Sequence, residues 1–160
     1  MIMDARVKDV AGIATRQLFD VVVNLAPPLN IGKGRVLFGA TGGSFEGPKL
    51  RGVVLPGGGD WALFRQDGTM VLDVRLTLRT DDDALVQLTY GGRWTIPEEI
   101  RDRMGDPATR HLVDPGSYYF RTTPVFETGA RKYLWLNDIV CVGSGYPVEG
   151  GIAYRVFEVV

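Results

Sequence analysis

The chain has 160 residues, 45% hydrophobic and 23% charged, a balance that suits one soluble globular domain with a well-buried core. Its 18 basic and 19 acidic residues give a net charge of -1, so electrostatics makes no case for nucleic acid or an anionic membrane as a partner. The single cysteine, Cys141, excludes an intrachain disulfide and a multi-cysteine zinc site. It lies in the apolar run Ile139-Val140-Cys141-Val142, the setting of a buried thiol and not of a nucleophile. No apolar run reaches membrane-spanning length. Residues 1–6 lack the basic region and apolar core of a signal peptide, so a cytoplasmic location is expected.

Residues 1–16 read as an N-terminal extension with room for a short helix, and residues 17–160 as one β domain. Leu18-Phe19-Asp20-Val21-Val22-Val23-Asn24-Leu25 is rich in β-branched and aromatic residues, and Pro27-Pro28 ends that strand. A second strand, residues 35–40, leads into a stretch crowded with glycine and proline over residues 42–61. This stretch reads as loop, short strand (Val53-Val54-Leu55), tight turn, then a strand opening on Asp60-Trp61. Asp67-Gly68 then marks a hairpin between residues 61–65 and a long returning strand, residues 70–80. That strand alternates strictly: Met70, Leu72, Val74, Leu76 and Leu78 share one face, and Val71, Asp73, Arg75, Thr77 and Arg79 the other. A turn at Asp81-Asp82-Asp83 precedes a strand over residues 84–90, which Gly91-Gly92 ends.

Residues 93–117 form the one long excursion. Thr95-Ile96-Pro97-Glu98 has capping-box spacing and predicts a short helix over 97–104. Long ordered excursions serve as lids or binding loops. Strands over residues 118–126 (interrupted by Pro124), 132–142 (with a bulge near Asn137-Asp138) and 152–160 complete the chain. About eight short strands without a βαβ rhythm predict an all-β fold, an antiparallel β-barrel or sandwich with one short helix.

Several familiar sites are absent. Val36 to Gly43 resembles a strand entering a dinucleotide-binding turn, but Glu46-Gly47-Pro48 and Gly52 break the helix that such a turn requires. His111 is the only histidine and has no glycine-flanked serine elbow to serve. Asp81-Asp82-Asp83 lacks the calcium-loop pattern and reads as a solvated turn. No metal and no cofactor are therefore expected.

Taken together, the motifs are specific. Gly42-Gly43-x-Phe45-Glu46-Gly47-Pro48-x-Leu50-x-Gly52 and Leu55-Pro56-Gly57-Gly58-Gly59-Asp60-Trp61 are joined by Leu72-Asp73-Val74-Arg75 and Thr80-Asp81-Asp82. Tyr119-Phe120-Arg121-Thr122-Thr123-Pro124, Tyr133-Leu134-Trp135-Leu136-Asn137 and Tyr154-Arg155-Val156-Phe157-Glu158-Val159 follow. These residues resemble the domain of unknown function 3237 (DUF3237, also UPF0311), and the likeness covers nearly everything after residue 17. The resemblance implies a small β-barrel, similar to lipocalin-like or allene-oxide-cyclase-like barrels, that self-associates, most simply as a dimer. It implies no activity. Two positions depart from the family pattern: Asp83 stands where glycine is usual, and Tyr90-Gly91-Gly92 where an asparagine-like residue often precedes one glycine. Both were expected at one barrel end, the pocket mouth.

Candidate site residues follow from residue chemistry. Asp60 either accepts backbone hydrogen bonds from the glycine turn or is an acid at the barrel mouth, desolvated by Trp61. For residues 70–80, either the apolar face fills the barrel or Asp73, Arg75 and Arg79 line a polar pocket. An Arg75 held by Asp73 suits a substrate carboxylate or carbonyl. Tyr119 with Arg121, and Tyr133 with Trp135, share strand faces, and fit either a ligand pocket or core aromatics with a structural ion pair. The leading expectation is a cofactor-independent acid/base enzyme (lyase, isomerase, cyclase or hydratase) for a small, partly hydrophobic carbonyl- or carboxylate-bearing molecule. Asp60 would be the acid or base, Arg75 and Arg121 would bind an anionic oxygen, Tyr119 would share the proton, and Trp61 and Trp135 would form walls. A non-catalytic carrier or sensor using the same pocket, or a structural homo-oligomer, is the alternative.

Overall fold

The computed structural model describes residues 4–160. Eleven antiparallel strands form one curved sheet: β1 (Thr15–Leu25), β2 (Leu29–Gly32), β3 (Arg35–Glu46), β4 (Arg51–Val54), β5 (Gly59–Phe64), β6 (Met70–Thr80), β7 (Leu85–Thr95), β8 (Tyr119–Thr122), β9 (Val125–Glu127), β10 (Cys141–Val148) and β11 (Gly151–Val159). Neighbours run β6-β5-β3-β1-β11-β10-β8-β7, and β7 pairs with β6 again along its length. The fold is thus an antiparallel, barrel-like sheet, thinnest where β8 meets β10 through only the Gly143–Thr122 and Ser144–Arg121 pairs. Strand β4 bridges β3 and β6, while β2 and β9 extend the rim. One short helix, α1 (Arg101–Gly105), lies in the excursion after β7.

The β6 alternation resolves in favour of an apolar interior: Met70, Leu72, Val74, Leu76 and Leu78 are buried, while Asp73, Arg75 and Arg79 are exposed. Leaving three charged groups in water avoids the cost of desolvating them. The interior then divides along the barrel axis. Near the ends of β3 and β6 it is filled: Phe19 packs on Phe45 and Phe126 at centroid distances of 5.4 and 5.8 Å. Leu78, Val86 and Leu136 are wholly buried there. Near the start of β6 it is hollow.

Several expected elements differ. Residues 1–3 of the N-terminal extension lie outside the described residues; residues 4–14 contain no helix and are exposed. Gly42-Gly43 and Gly91-Gly92, read as breaks, lie inside β3 and β7. The expected helix exists as a 3-10 turn plus α1, but no side chain caps it. Residues 118–126 divide into β8 and β9 at Thr123-Pro124, the interruption expected of a proline, which offers no N–H to the ladder.

The largest departure is at 132–142. Arg131–Asp138 is a 3-10 helix, with Tyr133 and Leu136 buried at the three-residue spacing of that helix. Asn137 is no bulge: its side chain accepts from Thr128 N (2.8 Å) and donates to Thr128 O (2.9 Å). Strand β10 then occupies Cys141–Val148, largely beyond the strand expected over 132–142.

Candidate functional site

The hollow half encloses a cavity of about 430 Å³. Its wall is mostly apolar, from Val23 and Leu25 of β1, Phe38 of β3, Leu72 and Val74 of β6 and Phe120 of β8. Met104, Arg101 and Arg110 of the excursion border the mouth. The excursion thus borders the cavity.

Asp60 is the one carboxylate in this wall. The glycine turn delivers it: Gly58 has φ +71°, and a Cβ there would lie 2.2 Å from the Arg75 carbonyl oxygen, so only glycine lets β5 enter between β3 and β6. Strand alternation then points Asp60 inward, level with Phe38 on β3, Val74 on β6 and, beyond it, Tyr90 on β7. The β5–β6 ladder has a gap between the Asp60–Val74 and Leu63–Val71 pairs. Asp60 Oδ1 fills it by accepting the Asp73 N–H at 2.9 Å. So Asp60 does accept a backbone hydrogen bond, though from a neighbouring strand and not from its own turn. Oδ2 has no hydrogen-bond partner among the described residues.

Burial pushes the Asp60 carboxyl up to about 6, and the nearby Asp73 charge adds to this. The Asp73 N–H and the Arg35 guanidinium, which donates to the Trp61 carbonyl at 2.7 Å, act in the opposite direction.

Two tyrosines complete the polar cluster. Tyr90 and Tyr154, from opposite walls, meet edge to face with centroids 5.2 Å apart. Burial raises both hydroxyls above the ordinary phenol range, and the Asp60 charge raises both further. Both are therefore neutral hydroxyls at physiological pH. Phe120 packs edge-on against Tyr154 (5.5 Å) and stacks on Trp94 (4.3 Å), whose Nε1 is buried without a partner.

The other expected site residues lie elsewhere. Trp61 follows an inward Asp60 and so points outward, opposite Leu37; the cavity wall, and not this indole, desolvates the acid. Asp73 and Arg75 are exposed on the outer face of β6 and form no ion pair with one another. Tyr119, 56% exposed, and Arg121 are on the outer face of β8, where the guanidinium lies 5.3 Å from the Tyr119 ring. Alternation in a sheet with an apolar interior sends all four charged or polar tips to solvent.

Tyr133 and Trp135 sit on the 3-10 helix at the filled end, away from the cavity. Tyr133 donates to Asp82 Oδ1 (2.8 Å), Lys132 to Oδ2 (2.7 Å), and Thr80 Oγ1 also to Oδ1 (2.6 Å). These bonds hold the Asp82 carboxyl well below its usual range. The turn at 81–83, read as merely solvated, is a clasp between β6 and this helix. Trp135 carries Lys49 over its ring at 4.8 Å. Cys141 is buried and its thiol is pushed up to about 12, which makes it inert.

Of the residues singled out in the sequence, Asp60 lines this cavity; Tyr90, Tyr154, Arg101 and Arg110 also line it and were not singled out. The signal for Tyr90 was period two: it shares a face with Val86 and Leu88, both buried. Among the described residues no three metal-ligating side chains cluster.

A protein family of unknown function, DUF3237, matches residues 13–159. The chain belongs to that family. A UPF0311 protein of Clostridium acetobutylicum is 34% identical over 82% of this chain and 85% of its own length. The crystal structure of a beta-barrel like protein from Acinetobacter baumannii superposes with a TM-score of 0.81 at 33% identity, covering 95% of this chain and 99% of that one. A more distant relative, PR-toxin biosynthesis cluster protein 7 of Penicillium roqueforti, is 29% identical over 67% of this chain and 57% of its own. A protein described as an enzyme from Penicillium herquei shares the fold at TM-score 0.66 and 20% identity, over 96% and 98% of the two chains.

Proposed function

We propose that this DUF3237 protein is a cofactor-independent acid/base enzyme. It acts on a small, partly hydrophobic carbonyl compound by a lyase, isomerase, cyclase or hydratase step. One observation carries the reading: a carboxyl that titrates near pH 6 shares an apolar cavity with two neutral tyrosine hydroxyls. A base poised near neutrality with hydrogen-bond donors beside it is the equipment for moving a proton next to a carbonyl. Ionised Asp60 takes a proton from carbon or from an attacking hydroxyl. Tyr154 donates to the substrate oxygen where negative charge develops. Protonated Asp60 then returns the proton, so the step balances without an oxidant or reductant. The biosynthesis-cluster relative, and an enzyme on the same fold, add support for catalysis.

The test uses 4-oxo-4-phenylbutanoate in D2O and follows deuterium entry next to the ketone by NMR. Wild type accelerates exchange, and Asp60→Asn loses at least ~100-fold of that acceleration, the usual scale for general acid–base catalysis, while still binding the compound. Tight binding without exchange would instead identify a carrier.

A further inference from the structure

We infer that the cavity is built for a carboxylate-bearing substrate, whose carboxylate is held at the mouth by Arg101 and Arg110. The orientation this assigns rests on the acid/base reading; the anion site itself does not. Both arginines come from the excursion and border the same cavity as Asp60. Among the described residues neither forms an ion pair. Glu98, Glu99 and Asp102, the carboxylates nearest Arg101 in sequence, pair with neither arginine among the described residues, while Asp67 is engaged with Arg65 and the Thr69 N–H, Asp106 with the Ala108 N–H, and Asp114 with the Gly116 N–H.

What the arginines do hold are backbone carbonyls. Arg101 Nε donates to Ile96 O at 3.3 Å, and Arg110 Nη2 to Gly105 O at 3.1 Å. These bonds orient the guanidinium groups without neutralising them. Arg110 Nε is buried and lacks any acceptor, a costly state for a charged donor. The hairpin also makes room. A Cβ at Gly68 would come within 3.1 Å of Arg101 Nη2, so a bare backbone at that turn lets the guanidinium lie over it.

A neutral ligand would leave both charges unanswered. A carboxylate answers them with the paired, planar geometry that guanidinium favours. Deeper in the cavity, ionised Asp60 repels a second anion. The two charge signs therefore fix the substrate's direction: carboxylate at the mouth, ketone toward Tyr154 and Asp60.

Calorimetry or Trp fluorescence with 4-oxo-4-phenylbutanoate and its neutral amide tests this. Wild type should bind the acid about 10- to 100-fold more tightly than the amide, the range expected of one or two charge-assisted hydrogen bonds. Arg101→Gln with Arg110→Gln should erase that preference yet retain the amide, which shows that the variant is folded. Asp60→Asn should keep the preference. Equal binding of acid and amide by wild type, failure of both to bind at millimolar concentration, or a preference that survives loss of both arginines overturns the inference. If the preference behaves as expected while exchange ignores Asp60→Asn, the anion site stands and the acid/base reading falls.

Discussion

The two halves of the barrel are made from the same alternating strands and serve opposite ends. At the filled half, Phe19 packs on both Phe45 and Phe126, Leu136 is fully buried in the same core, and the Asp82 clasp ties the helix of Leu136 to the β6–β7 turn. At the hollow half the rings lie along the wall instead. Trp94 stacks flat on Phe120, which in turn packs over the bare backbone of Gly145. Space is kept open by how aromatic rings are oriented, not by a shortage of them. The comparison breaks if both halves respond alike to truncation. Phe19→Ala should cost about 3–5 kcal/mol in urea unfolding, the usual price of a cavity in a tight core. Phe38→Ala should cost clearly less, because its half-buried ring already borders empty space. Equal losses would mean that the hollow half is as closely packed as the other.

Asp60 sharpens the comparison, since the hollow half gives up stability to hold it. Its folded value of about 6 lies above the ordinary 3.8. The folded state therefore binds the proton more tightly than the unfolded chain, and the resulting stability is present in full at low pH. It is lost as pH rises through about 6. Asp60→Asn cannot ionise, and its amide oxygen can still accept the Asp73 N–H. The variant should match wild type near pH 3, below the unfolded value, and exceed it by up to ~3 kcal/mol near pH 8, from about two pKa units at 1.36 kcal/mol each. Urea titrations at the two pH values check this, and a gap that does not change with pH would remove the claim that burial perturbs this acid.

How much of this was legible in the sequence differs by half. Period two in residues 70–80 gave the strand and its two faces, but which face is inside stayed open in the sequence and is settled by the buried Met70, Leu72, Val74, Leu76 and Leu78. Asp60 stood out because a glycine turn ends on it. Tyr90 and Tyr154 did not, because they lie 64 positions apart and their strands, β7 and β11, are joined through β8 and β10. Arg75, Tyr119 and Arg121 carried suitable chemistry on the wrong face. Tyr133 and Trp135 were read with period two where the chain follows period three; nothing local distinguishes the two until Leu136 finds its place over the filled core.

The smallest expected effect concerns the family departure at position 83. It was placed at the pocket mouth together with Tyr90, but the turn after β6 lies at the filled end, whereas Tyr90 faces the cavity. The two departures are therefore independent. Asp83 takes φ +67°, the left-handed region that favours glycine. Its side chain is 92% exposed and only 3.9 Å contact with Arg79 Nε engages it, an arrangement that adds little to stability. Asp83→Gly relieves the backbone strain but also frees the unfolded chain, so the net gain should be small, about 0.5 kcal/mol. It should leave the acid-over-amide preference and the exchange rate untouched, because the filled half stands between this turn and the cavity. A change in either would mean that the two halves are coupled.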